Sequence, residues 1–220
     1  MKADYTHISV VLDRTGSMES IRDDVVGGFN AYISQQKAEP GSATVTLVQF
    51  DTQDPYEVIH RFKPIGEVPA LTRETYVPRA STPLLDAMGR GINDLEQSVH
   101  ALPEEERPDT VILVIVTDGH ENSSKEFRKD QIEKMIREKS EKDGWQIVFL
   151  SADLAAIHEA RALGIDPAAA LLFAKDKQGN AAAWDSLSRG TAAYRARRAH
   201  KFGFQQDDRQ HPDDPEKKKT

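Results

Sequence analysis

The chain has 220 residues, 38% of them hydrophobic and 30% charged, with a formal net charge of −7 and no cysteine. Such a length and apolar content predict a soluble, globular chain able to bury a sizeable core. The acidic balance argues against nucleic acid or an anionic membrane surface as the main partner, and the absence of cysteine excludes disulfides, thiolate zinc sites and a cysteine nucleophile.

The N-terminal segment MKADYTHISVVLD has no long apolar stretch, so no signal peptide is expected. The longest aliphatic run, Val111 to Val116, is too short to span a bilayer, which makes cytoplasmic residence the expectation. In chain order, Ile8 to Leu12 reads as a buried parallel strand, and Met18, Ile21, Val25, Phe29 and Tyr32 recur at helical spacing. Thr44 to Phe50 and Tyr56 to Phe62 read as an edge hairpin joined by the turn residues Asp51 to Pro55. Lys63 to Ala80, with Pro64, Pro69 and Pro78, reads as a long loop, a feature often tied to function.

A second helix follows from Leu85, Met88, Ile92, Leu95 and Val99, then a strand over Val111 to Val116. Ile132, Met135 and Ile136 mark a third helix with a solvated outer face, and Gln146 to Leu150 a further strand. Leu154, Ile157 and Ala160 begin a fourth helix, and Ala170 to Phe173 a short strand. Trp184, Leu187 and Tyr194 predict a last helix, with Gly190 as its possible break. This alternation predicts an α/β fold, doubly wound and Rossmann-like. Its sheet would be mostly parallel, with about six strands, one antiparallel edge strand and helices on both faces. The domain is expected over residues 1–202, and the polar segment 203–220, GFQQDDRQHPDDPEKKKT, as a disordered charged tail.

Ligands of doubly wound sheets bind beyond the carboxyl ends of the strands. After the first strand comes Asp13-Arg14-Thr15-Gly16-Ser17, and after the fourth comes Thr117-Asp118-Gly119. Ser81-Thr82-Pro83 precedes the Leu85 helix, with Thr82 as the expected N-cap and Pro83 at the first helical position. Asp13, Thr15, Ser17, Thr82 and Asp118 offer only oxygen, which suits Mg²⁺, Ca²⁺ or Mn²⁺ rather than zinc or copper. Taken alone, the Asp13-x-Thr15-x-Ser17 spacing could be a strand-to-helix turn with capping hydroxyls. Thr82 and Asp118 in register argue for the metal reading.

These residues resemble the D-x-[ST]-x-S motif, the separate threonine and the final aspartate of von Willebrand factor A (vWA) domains, over roughly residues 5 to 200. The segment LSADLAAIHEARALGI resembles stand-alone bacterial or phage members. The resemblance implies a complete metal-ion-dependent adhesion site. Thr15, Ser17 and Thr82 would supply hydroxyls, and Asp13 and Asp118 would bind directly or through water. The sixth position would go to a partner protein's Asp or Glu. Mg²⁺ is the implied ion, with Ca²⁺ or Mn²⁺ as alternatives. Thr15 stands where many members have Ser, which keeps the hydroxyl. No catalysis is implied.

Arg14, Arg79 and His120 are candidate rim residues around this site; as plain loop residues, the arginines would be solvated charges and His120 a hydrogen-bonder. The basic run Arg195, Arg197, Arg198, His200 and Lys201 reads as the outer face of the last helix rather than a nucleic-acid patch. Two other classes stay open. Some vWA domains are regulatory adaptors of AAA+ ATPases or of metal- and stress-response systems. Asp13-Arg14-Thr15-Gly16-Ser17 also resembles the DKTGT motif of haloacid-dehalogenase-like phosphotransferases, where the aspartate is a nucleophile beside Mg²⁺. Against that class, Asp118-Gly119 is in reversed order, Lys37 and Lys63 are poorly placed, and the Met18 helix leaves no room for a flap.

Overall fold

Ile8, Val10 and Leu12 pack into one side of the protein and Val11 into the other, all of them fully buried. This period of two with both faces covered is what a central parallel strand requires. The structure, a computed structural model, describes residues 1–218. Strands β1 (Lys2–Asp13), β2 (Ser42–Phe50), β3 (Glu57–Pro64), β4 (Pro108–Thr117), β5 (Gln146–Ser151) and β6 (Ala170–Leu172) form one sheet in the order β3-β2-β1-β4-β5-β6. Only β3 is antiparallel, paired with β2 at the edge through the expected hairpin. The doubly wound α/β fold predicted from the sequence is therefore present.

Helices α1 (Arg22–Ala38) and α5 (Lys177–Arg195) cover one face, where Phe29, Tyr32, Trp184 and Leu187 meet Val10, Val114 and Leu150. Helices α2 (Leu84–Ala101), α3 (Lys129–Glu141) and α4 (Leu154–Ala162) cover the other, where Met88, Ile92, Ile136 and Ile157 meet Leu113, Ile115 and Phe149. Each of these large apolar side chains contributes roughly 1.5–3 kcal/mol by leaving water. The chain leaves β1 to β2 on one side and reaches β4 on the other. That reversal opens a crevice at the carboxyl ends of β1 and β4.

Three expectations are corrected at the C-terminal end. Helix α5 runs unbroken through Gly190, because a missing side chain there admits the Phe202 ring; a Cβ would lie 2.7 Å from it. The basic run does not extend the helix's outer face, since α5 ends at Arg195 and Arg197 has a left-handed φ of 54°. Arg195 instead bonds the carbonyl and side chain of Gln36, while Arg197 pairs with Asp109.

The third correction concerns the tail, which is fastened rather than disordered as far as residue 218. Phe202 and Phe204 are buried in the core. Arg209 Nη1 donates to the carbonyl of Ala170 at 3.0 Å, and Asp214 Oδ2 accepts from the amide of Leu172 at 3.1 Å. The two side chains also pair with each other, only 2% and 1% exposed. They satisfy the outer backbone edge of β6 as a seventh strand would, which protects an otherwise open edge. Residues 219 and 220 lie outside the described residues.

Candidate functional site

The crevice is built from three loops. Asp13 closes β1, fully buried, with one oxygen accepting the Thr15 amide at 2.6 Å and the other the Thr117 hydroxyl at 2.6 Å. Tyr76, wholly buried in the loop after β3, donates its phenol to the Asp13 carbonyl at 2.5 Å and fixes the strand end. A 3₁₀ turn (Gly16–Ile21) starts immediately after Thr15 and places Ser17 at the exposed mouth.

Thr82 arrives from the loop before α2. It does not cap the helix as expected; the Leu85 amide bonds Glu121 at 2.8 Å and the Asp86 amide bonds Ser124 at 3.0 Å. That substitution of caps frees the Thr82 hydroxyl, which lies 3.3 Å from Thr15 Oγ1. The Thr82 and Asn122 segments are clipped together by Thr82 N to Asn122 Oδ1 at 3.0 Å and Asn122 N to Thr82 O at 3.2 Å. Asp86 accepts the amides of Lys125, Glu126 and Phe127 and pins the loop that follows Asp118. Ala80 nearby has a left-handed φ of 58°, a conformation that costs a non-glycine residue energy, and its carbonyl accepts the Gly16 amide at 3.0 Å.

Asp118 follows β4. Its Oδ1 accepts from Ser17 Oγ at 2.6 Å, and Ser17 Oγ is 3.2 Å from Thr15 Oγ1. Asp13, Thr15, Ser17, Thr82 and Asp118 thus form one connected cluster. Its two carboxylates are buried, and burial is the main reason the Asp13 carboxyl is pushed up to about 7. Hydrogen bonds from Thr117 and Thr15 oppose that rise, and the neighbouring Asp118 adds to it.

Every donor is oxygen, which suits a hard divalent ion. A Cβ on Gly119 would meet only Ser17 Oγ and Thr82 Oγ1, each at 3.9 Å, so the glycine keeps the space above the hydroxyls open. Asp118 Oδ2 is buried and accepts no directed hydrogen bond, its one charged neighbour being the Lys175 ammonium at 2.6 Å. Among the described residues no group of three or more His, Asp or Glu side chains could hold a metal. A cation here would depend on the hydroxyls for most of its protein ligands.

The rim differs from expectation at one position. Arg14 is 6% exposed and turned inward, bonding Asp51 Oδ2 at 2.7 Å and pairing with Glu57, because a guanidinium beside β2 finds carboxylates there rather than water. Arg79 shares Asp51 at 2.8 Å but keeps a partly exposed side chain. His120 is exposed and bonds Asp153 at 3.0 Å, which raises its pKa. Sequence reasoning missed Thr117, Tyr76 and Lys175. Thr117 had a signal, as the hydroxyl next to Asp118 at a strand end; Tyr76 and Lys175 had none.

Neither a protein-family model nor a curated protein matches the sequence. Solved structures match its fold. Proximal thread matrix protein 1 from the mussel byssus, described with a zinc-occupied MIDAS motif, is 14% identical with a TM-score of 0.60, over 86% of this chain and 46% of that one. A von Willebrand factor type A structure from Catenulispora acidiphila is 12% identical with a TM-score of 0.56, over 86% and 43%. The pilus adhesin SpaC from Lactobacillus rhamnosus GG, in an open conformation, is 12% identical with a TM-score of 0.62, over 88% and 30%. The chain spans less than half the length of each. At such identities the matches establish the fold, a vWA-type α/β sheet.

Proposed function

We propose that the cluster at the ends of β1 and β4 binds one divalent cation and captures an acidic side chain of a partner protein through it. The observation that carries this reading is the convergence of five oxygen-bearing side chains from three loops around space that Gly119 leaves open. Thr15, Ser17 and Thr82 would hold the ion through hydroxyls, and Asp13 and Asp118 through carboxylates, directly or by way of water. Mg²⁺ fits this mostly neutral, all-oxygen set, and Ca²⁺ or Mn²⁺ share its preference. When bound, the ion supplies residual positive charge that a partner Asp or Glu can ligate. The zinc-occupied motif in the byssus protein supports a divalent ion in this fold.

Binding rather than catalysis is the reading that the burial of Asp13 supports. A phosphotransferase nucleophile must reach its substrate, whereas both Asp13 oxygens are engaged inside the protein. Arg79 and His120 remain rim candidates for contact with the partner; Arg14 is withdrawn into its pair with Asp51. The net charge of −7 favours a protein over nucleic acid or an anionic membrane, with the cytoplasm as the proposed location.

The test is capture from a cell extract by the full chain in Mg²⁺ and in EDTA, with Thr82→Ala as control. Proteins retained only in Mg²⁺, and lost on Thr82→Ala without a change in melting, are the expected result. Replacing the acidic residue of the partner should cost about 2–5 kcal/mol of affinity, as for one member of a buried charge pair. Identical retention in Mg²⁺ and EDTA would count against metal-mediated capture.

A further inference from the structure

Lys175 lies on the short connection between β6 and α5, outside the five-residue cluster. Its ammonium is 2.6 Å from Asp118 Oδ2, off the hydrogen-bonding direction, so the contact is an ion pair rather than a directed hydrogen bond. The Asp118 side chain is wholly buried, while that of Lys175 is 37% exposed. A buried carboxylate is costly without a counter-charge, and in the metal-free chain this ammonium provides it.

The attachment point of the lysine is fixed. The Phe173 amide bonds the Ser151 carbonyl at 2.9 Å, and Asp176 caps α5 by accepting from the Gly179 amide at 2.8 Å. The tail's Asp214 holds Leu172 from the outer edge. Between these anchors the flexible four-carbon stem gives the lysine its freedom, and its partly exposed side chain can swing away into water.

We propose that Lys175 is a tethered cation that competes with the divalent ion for Asp118, occupying the carboxylate in the metal-free chain and withdrawing when metal binds. This rests on the metal-site reading above. An ammonium and a doubly charged ion a few ångströms apart repel each other strongly in a partly dry site. Metal binding must therefore break the lysine pair, and the lysine sets the affinity below what the five ligands would give alone. It also protects the metal-free fold from an unpaired carboxylate.

The test uses the full chain as wild type, Lys175→Met and Lys175→Arg, with Mg²⁺ followed by calorimetry and Mn²⁺ by electron paramagnetic resonance. Lys175→Met should bind either ion about two- to fivefold more tightly, in line with loss of a partly exposed pair, and Lys175→Arg should stay near wild type. In EDTA, Lys175→Met should melt below wild type; in saturating Mg²⁺ the two should melt alike. Equal affinities for wild type and Lys175→Met would overturn competition while leaving the metal site standing. Loss of binding in Lys175→Met would also overturn it, by making the lysine a supporting residue. No binding to any of the three chains would overturn the metal site itself.

Discussion

In EDTA near pH 8, Asp13→Asn is expected to melt above the wild-type chain, although it removes a charge from the candidate metal site. Burial pushes the Asp13 carboxyl up to about 7 from an ordinary value of 3.8. The folded protein therefore keeps a proton that the unfolded chain releases. The stability this provides is complete below about pH 4 and is lost as pH rises through about 7. Above that range the buried charge costs on the order of 2–4 kcal/mol, which asparagine avoids. Asparagine also fits the local bonds. Its carbonyl can still accept the Thr15 amide, and its amide can donate to Thr117 Oγ1. The Thr117 hydroxyl is then free to donate to the Gly119 carbonyl, 3.0 Å away. Thermal melts from about pH 5 to 8 in EDTA check this, and the advantage of Asp13→Asn should grow with pH. Mg²⁺ should then raise the wild type alone. A variant that melts below wild type at the alkaline end would mean that the carboxylate is charged and stabilising there.

The second large effect is expected at Arg209. Arg209→Met leaves Asp214 buried without its counter-charge and removes donors from the carbonyls of Ala170, Pro167 and Ala168. Breaking a buried ion pair from one side costs about 3–5 kcal/mol, enough to lower the melting temperature by many degrees. A double variant, Arg209→Met with Asp214→Leu, should recover part of the loss, since no lone charge remains. Chemical denaturation of the wild type, each single variant and the double variant measures both quantities. An unchanged midpoint for Arg209→Met would show that the tail contributes little and that β6 needs no cover.

The central strands were legible because parallel strands covered on both faces leave continuous β-branched runs such as Val111 to Val116. The cluster was legible because strand ends in a doubly wound sheet meet at one crevice, so Asp13 and Asp118 could be placed together across 105 residues of chain. The tail was misread because its composition is polar. Composition does not reveal that one arginine and one aspartate can complete the backbone of an edge strand. Arg14 was misplaced for a related reason: its neighbour Asp51 lies at the end of the adjacent strand, and only the register of β1 with β2 brings them together. Lys175 was invisible because its place depends on where the short β6 ends and α5 begins. The Thr82 cap failed because Glu121 and Ser124, distant in sequence, bond the first amides of α2 in its place.

The most direct measurement is calorimetric titration of the full chain with Mg²⁺, beside the same titration of Asp118→Ala. One ion bound per wild-type chain, and none by a folded Asp118→Ala, is the expected result. Mg²⁺ binding of equal affinity to both proteins, or none to the wild type at millimolar concentrations, would contradict a metal centre at the ends of β1 and β4.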